Sequence, residues 1–192
     1  MIKLNLFAKL TVMTAAGGLL LGSLAACGGG PNPMAKKVLM ACLAVTNINA
    51  GKILGGELTA FKLSGTGSPV HICEYNDANN ATLGLLQITE SKSKDPAGDL
   101  AEDAATQKGV LKNNIVPVVI HPANGFGNGA FYVDITQSPT ATSVQLRIIE
   151  NGYKMMAQVN NPKDFATGEK QATALVQQAL ANIKSGAAFQ TL

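Results

Sequence analysis

Apolar and polar residues alternate most regularly between Val144 and Val159, in two runs that flank Asn151-Gly152. A spacing of two residues is the period of a strand with one buried face. Asn-Gly between two such runs is the strongest short signal for a hairpin, because both turn residues must adopt positive φ. The pattern therefore predicts an antiparallel hairpin.

Helical spacing predicts further elements on either side of this hairpin. A first helix is indicated by apolar residues at steps of three and four, at Met34, Val38, Leu39, Cys42 and Leu43. A short helical segment over 46–54 ends at Gly55-Gly56, and a helix over 99–108 has acidic residues early, which suits the helix dipole. The last helix, over 163–185, has an apolar stripe that suits a sheet face and stops at Gly186.

The remaining apolar segments are typical of strands separated by turns. They lie at 57–63, 70–75, 82–89 and 130–135. Helices and strands in this order predict an α+β fold, with an antiparallel sheet packed by an N-terminal and a C-terminal helix. We expect residues 34–192 to form one such domain.

The first 26 residues have the layout of a secretory signal. Lys3 and Lys9 form a basic start, an apolar stretch runs from Leu10 to Leu24, and small residues precede Cys27. From Leu10 to Ala26 is 17 residues, whereas a membrane-spanning helix usually needs about 20 mainly apolar residues. The sequence therefore favours a cleaved signal over an uncleaved transmembrane helix.

Leu24-Ala25-Ala26-Cys27 closely resembles the lipobox of bacterial lipoproteins. The resemblance implies that Cys27 is acylated, becomes the mature N-terminus and anchors the protein in a membrane, with residues 27–33 as the acylated cysteine and its Gly/Pro tether. Several acyl chains on one residue make a lasting anchor, whereas one chain binds only marginally. Gly28 stands where lipoproteins of the inner membrane commonly have Asp. The resemblance thus favours the outer membrane, facing the periplasm, in a Gram-negative host.

The charge of the mature chain argues against a nucleic-acid partner. Loss of Lys3 and Lys9 with the signal would reduce 15 basic residues to 13, against 12 acidic residues, for a net charge of +1. Arg147 is the single arginine, and Lys36-Lys37 is the only adjacent basic pair. A near-neutral chain of this kind has no basic footprint for DNA or RNA.

Cys42 and Cys73 remain once Cys27 is assigned to lipid, and export would place them in an oxidising compartment. We expect a disulfide that ties the first helix to the strand at 70–75, and two separate buried thiols are the alternative. A catalytic thiol is disfavoured, because neither cysteine belongs to a Cys-x-x-Cys motif or has an evident activating partner.

Several short motifs follow one another between residues 40 and 184, namely Cys42-Leu43, Gly55-Gly56, Cys73-Glu74-Tyr75 and Gly127–Tyr132, and an Ala-rich helix closes the series. This arrangement is similar to that of small actinobacterial lipoproteins of unknown function. The resemblance implies a disulfide and a sheet-plus-helix fold, and it implies no activity.

Gly125 to Gly129 is the segment that most resembles a functional loop. A phosphate-binding loop would open a helix, but Ala130 to Ile135 is typical of a strand. We expect a turn whose neighbours present an exposed surface, and core packing of the aromatic rings is the alternative. The candidate binding loop consists of Gly125, Phe126, Gly127, Asn128, Phe131 and Tyr132.

Other candidate chemistry is sparse. His71 and His121 are the two histidines, and no His or Cys cluster supplies the further ligands that a zinc site needs. The serines lack a Gly-x-Ser-x-Gly motif. Acidic residues interleaved with lysines are typical of a solvated helix face, at Glu90, Asp95, Asp99, Glu102 and Asp103. We expect no catalytic residues, no metal and no cofactor.

These observations predict a monomeric, lipid-anchored envelope protein that is not an enzyme and binds another envelope protein as an accessory module. An inhibitor or immunity protein of an envelope enzyme, a small-ligand carrier and an envelope enzyme are the alternatives. A carrier would need a deep apolar cavity, and an enzyme would need converging titratable groups in a pocket.

Overall fold

The computed structural model describes residues 36–63, 68–113, 116–138 and 141–191. The predicted signal, the predicted acylation site Cys27 and the predicted tether lie outside these residues. The elements in chain order are β1 (Lys37–Leu39), α1 (Ala41–Ala44), α2 (Asn47–Leu54), β2 (Thr59–Lys62), β3 (Val70–Asn76), β4 (Thr82–Glu90), α3 (Pro96–Asn113), β5 (Val118–Pro122), β6 (Phe131–Ser138), β7 (Ala141–Glu150), β8 (Tyr153–Asn160), α4 (Phe165–Ser185) and β9 (Phe189–Thr191).

The strands form a seven-stranded sheet and a separate two-stranded one. The large sheet has the order β2-β3-β4-β8-β7-β6-β5, and every neighbouring pair in it is antiparallel. With α4 packed on this sheet, the α+β prediction is confirmed.

The central hairpin β7–β8 forms where the alternation predicts it. Glu150 pairs with Tyr153 across the turn, and Asn151 and Gly152 have φ values of 52° and 80°. These positive angles match the twist of the flanking strands, which explains why Asn-Gly occupies the turn.

One face of the large sheet, which we call the helical face, lies against α1, α2 and α4 and holds the main core. Its largest buried side chains are contributed by the four central strands and by α4, at Tyr75, Leu86, Ile88, Leu146, Ile148, Met155 and Leu175. Tyr75 is fully buried, and its hydroxyl donates a 2.7 Å hydrogen bond to the carbonyl oxygen of Val45. This bond satisfies the phenol inside the core and connects the α1–α2 segment to β3.

Helix α4 begins and ends at residues that suit helix termini. The carboxylate of Asp164 accepts a 2.7 Å bond from the backbone N–H of Thr167, and Gly186 adopts the left-handed conformation at φ 83°. Gly168 faces the sheet, where Val144 and Pro162 leave no room for a larger side chain. The helix therefore approaches β7 closely at this point.

The first predicted helix is corrected by the structure. Val38 and Leu39 lie in β1, which pairs with β9, and α1 comprises only Ala41–Ala44. The backbone N–H of Met40 bonds to Ala188 at 2.9 Å in the turn before β9. A partner strand from the far end of the chain thus supplies hydrogen bonds that replace those of a helix.

The predicted disulfide is confirmed. Cys42 in α1 and Cys73 in β3 are joined with a Cα–Cα distance of 5.1 Å. The bridge fastens the short helix α1 to the helical face.

Candidate functional site

Only part of the opposite face of the large sheet is covered by a described helix. Helix α3 lies over β5, β6 and β7, and a second core cluster fills the space beneath it. This cluster consists of Leu100, Phe131, Val133, Ile135 and Ile149. We call the rest of this face, over β2, β3, β4 and β8, the open face.

An ion-pair cluster lies where α3 meets the open face. The guanidinium Nη1 of Arg147 lies 3.2 Å from both carboxylate oxygens of Asp103, and Lys154 Nζ lies 3.1 Å from Oδ2. The Asp103 side chain is only 10 % exposed. Burial acts to raise the pKa of Asp103, but the attraction of Arg147 and Lys154 outweighs it and holds the pKa below its ordinary value. Asp103 is therefore ionised, and its ion pairs with Arg147 and Lys154 hold α3 against the sheet. The prediction that Asp103 lies on a solvated helix face was wrong.

A chain of hydrogen bonds starts at the same arginine and crosses three strands. Arg147 donates to Oε1 of Gln145 at 2.9 Å, and Gln145 Nε2 donates to Oε1 of Gln158 at 2.8 Å. Gln158 Nε2 donates to Oδ1 of Asn160 at 2.7 Å. Asn160 Nδ2 then donates to the backbone carbonyl of Thr82 at 2.9 Å. We call Gln145, Gln158 and Asn160 the amide ladder.

The direction of the amide ladder follows from the chemistry of its first member. A guanidinium group has donors and no acceptor, so Gln145 must present its carbonyl oxygen to Arg147. Each amide then has its N–H₂ facing the next carbonyl oxygen. The ladder is thus held in one orientation before any ligand arrives.

Apolar side chains flank the ladder. Leu85 and Met156 alternate along their strands with the buried Leu86 and Ala157, yet they belong to neither core cluster. Phe61, at the edge strand β2, is 43 % exposed. The open face thus combines a fixed polar stripe with half-buried and exposed apolar groups.

The predicted binding loop is largely a structural connection between β5 and β6. Gly125, Gly127 and Asn128 are exposed, but Phe126 is half-buried and packs against the main core. A Cβ atom on Gly129 would lie 3.0 Å from Cα of Ala97, so the loop rests on the first turn of α3.

The prediction that Phe131 and Tyr132 belong to an exposed surface is wrong. Each is only 3 % exposed, because adjacent residues of β6 point to opposite faces and each face is covered there. Phe131 packs under α3, and Tyr132 packs on the helical face, where its hydroxyl lies 2.7 Å from Oγ1 of Thr173. Neither ring contributes to an exposed recognition surface.

The two histidines lie far apart in the sheet. His71 is on β3 and His121 is on β5, and the strand order places four strands between them. Burial lowers the pKa of His71, with Lys62 adding to the effect and Glu90 opposing it. The His121 ring lies against Phe165 with centroids 4.3 Å apart. Among the described residues, no group of three or more His, Cys, Asp or Glu side chains could hold a metal ion.

Comparisons with known proteins do not assign the chain to a family. No family model matches the chain, and no curated protein matches it. The solution structure of cyanobacterial PsbP (CyanoP) from Synechocystis sp. PCC 6803 is similar, with 13% sequence identity and a TM-score of 0.37, over 89% of this chain and 100% of that one. A likeness of this size does not bear on function. In the part of the chain that the structure describes, no helix is both long and apolar enough to cross a membrane.

Proposed function

We propose that this protein is a lipid-anchored, non-catalytic binding module of the bacterial cell envelope, which uses its open face to bind an envelope protein. The observation that carries the proposal is the amide ladder beside Leu85 and Met156, outside both cores. Side chains that are already ordered lose little conformational freedom on binding, so more of the contact energy appears as affinity.

The chemistry of the open face suits a protein partner better than a charged polymer. Interfaces combine apolar contacts at their centre with hydrogen bonds from polar groups, and the face offers both. The mature charge of +1 expected after signal cleavage gives no strong field of either sign. The partner is thus a protein surface of mixed polarity.

The lipid anchor rests on the sequence of residues 24–27, and the disulfide is compatible with it. Disulfides persist in exported proteins and are rare in the cytosol. The Cys42–Cys73 bridge therefore supports an oxidising compartment, such as the periplasm or the cell surface.

Site-specific photocrosslinking in the native envelope tests the binding surface. A photoreactive residue at position 87, on the open face, should give an adduct of defined mass that disappears in a Met156→Asp background. The same probe at Lys52, which is exposed on α2 beside the other face, is the control. Equal adducts from both positions, or none from position 87, would contradict the proposal.

Intact-mass analysis and detergent partitioning test the anchor separately. The mature chain should begin at Cys27 with the mass of its acyl groups, and it should partition with detergent. Membrane-bound protein still cleaved before residue 27 in a Cys27→Ser variant would refute lipidation.

A further inference from the structure

The amide ladder ends at a small cleft between β4, β7 and β8. The cleft has a volume of about 260 Å³, and its polar lining is Thr82, Thr142, Ser143, Gln158, Asn160 and Asn161. Two alanine side chains complete the wall. We call it the amide cleft.

The lining of the amide cleft is polar but uncharged. An anionic ligand would lose water there without meeting a positive charge, and it would approach the carboxylate of Glu74, which accepts a 2.8 Å hydrogen bond from the hydroxyl of Thr82. An apolar ligand would strip water from amide and hydroxyl groups and leave them unpaired. The lining therefore disfavours anionic and apolar ligands and suits a ligand that forms hydrogen bonds.

The amide groups of the cleft retain hydrogen-bonding capacity. Gln158 and Asn160 each donate one N–H within the ladder, and a primary amide has two. Oδ1 of Asn161 accepts a 3.1 Å hydrogen bond from the backbone N–H of Thr142. This bond uses the carbonyl oxygen of the Asn161 side chain and not its N–H₂ group. Donors and hydroxyl groups thus approach the cleft from three strands and the turn after β8.

The position and size of the cleft further restrict the class of ligand that can bind there. An extended peptide is usually recognised through the unpaired backbone of an edge strand, whereas the cleft lies at the ends of β4, β8 and β7, which are interior strands of the sheet. Its volume is just below the range of roughly 300–1,000 Å³ typical of drug-sized ligands, so one small ring fits. A ring with hydroxyl groups in several directions, each able to donate and accept, matches this arrangement.

We propose that the amide cleft binds one neutral sugar unit. The ladder fixes the orientation of Gln158 and Asn160 in advance, and the alanines contact the apolar side of the ring. This inference depends neither on the lipid anchor nor on a protein partner.

Saturation-transfer NMR with defined sugars tests the proposal. The full chain is held in a detergent without a sugar headgroup and titrated with glucose, galactose, mannose and N-acetylglucosamine. Glucuronate serves as the anionic counterpart. At least one neutral sugar should bind with a dissociation constant on the order of millimolar, and glucuronate should bind at least tenfold more weakly.

Matched variants locate the site. Gln158 and Thr82 line the cleft, and the test variants are Gln158→Leu and Thr82→Val. The control variants are Gln87→Leu and Thr89→Val, which change the same residue types on the same face but outside the cleft. The cleft variants should weaken binding by about tenfold, since each removes a hydrogen bond to the sugar, and the outer variants should not. If Gln158→Leu fails to fold, the nearly isosteric Thr82→Val carries the test.

Three results would overturn the inference: no saturation transfer from any neutral sugar, binding of glucuronate equal to that of the neutral sugars, or equal losses in the outer and cleft variants. A soluble sugar assay needs no envelope partner. A negative result here therefore leaves the crosslinking test of the open face unaffected.

Discussion

Replacing Gly168 by alanine should destabilise the protein, although the same change in an ordinary helix stabilises it. A Cβ atom at position 168 would lie 2.6 Å from Cγ2 and 2.9 Å from Cβ of Val144, and 2.9 Å from Cγ of Pro162. Val144 is 1 % exposed and β-branched, so it has no alternative rotamer into free space. The added methyl group must push α4 away from β7.

The magnitude follows from two opposing terms. Overpacking a filled core costs about 1–3 kcal/mol. Alanine is more favourable than the flexible glycine inside a helix by about 0.5–1 kcal/mol, which offsets part of this cost. We expect a net loss of about 0.5–2 kcal/mol in the free energy of unfolding. At about 2–4 °C for each kcal/mol in a domain of this size, the melting temperature should fall by several degrees.

Gly109→Ala is the matched control. Gly109 lies inside α3 and has no atom within 4 Å of the position that a Cβ would take. This variant should gain about 0.5–1 kcal/mol, because only the helix-propensity term remains. Urea unfolding followed by circular dichroism measures both variants. A Gly168→Ala protein as stable as the parent would refute the close approach of α4 to the sheet.

Three further changes test other parts of the structure. Reducing the Cys42–Cys73 disulfide, whose cysteines are 31 residues apart, should lower stability by about 3–4 kcal/mol in thermal melts; recovery of both cysteines as free thiols from the native envelope would contradict the bridge. Because the pKa of Asp103 is depressed in the folded state, its contribution to stability is present above the ordinary value of about 3.9 and is lost as the pH falls through the folded-state pKa. Asp103→Asn should therefore lower stability at pH 7 and flatten the fall of stability below pH 4 in acid unfolding, and an unchanged profile would exclude the ion pair with Arg147. Phe126→Ala should cost about 1–2 kcal/mol, less than the loss for a fully buried ring, and an unchanged melting temperature would show that Phe126 is exposed.

The elements that could be predicted from sequence are those whose signals are local. The β7–β8 hairpin has Asn151-Gly152 between alternating runs, and α4 has Asp164 at its start and Gly186 at its end. Each of these signals acts within a few residues of the turn or helix terminus that it specifies. Their positions therefore needed no knowledge of the rest of the chain.

The elements that sequence analysis missed depend on distant partners. β1 and β9 have three residues each and are strands only because they pair with one another. The helical spacing of Val38 and Leu39 is equally compatible with that short pairing. Strand β5 was also absent from the predicted set, and it forms at the edge of the sheet beside β6.

The prediction that Phe131 and Tyr132 lie on an exposed surface was wrong for a related reason. Alternation shows that Phe131 and Tyr132 point to opposite faces, but it does not show that helices cover both faces there. The polar positions of β7 and β8 were visible in the sequence as the outward side of the hairpin. That Gln145, Gln158 and Asn160 connect into one chain depends on the register between β7 and β8, which only the folded structure gives.

The pairing of β1 with β9 has a consequence for the order of folding. Lys37 lies opposite Thr191, so nearly all of the described chain must be made before this contact can form. Closing so long a loop is entropically slow, whereas the hairpin β7–β8 and the strands around it close over short distances. During synthesis, the first strand therefore remains without its partner while the large sheet assembles. Its backbone amides should become protected last in pulse-labelled hydrogen exchange, and, with three residues a side, they should be among the first to reopen.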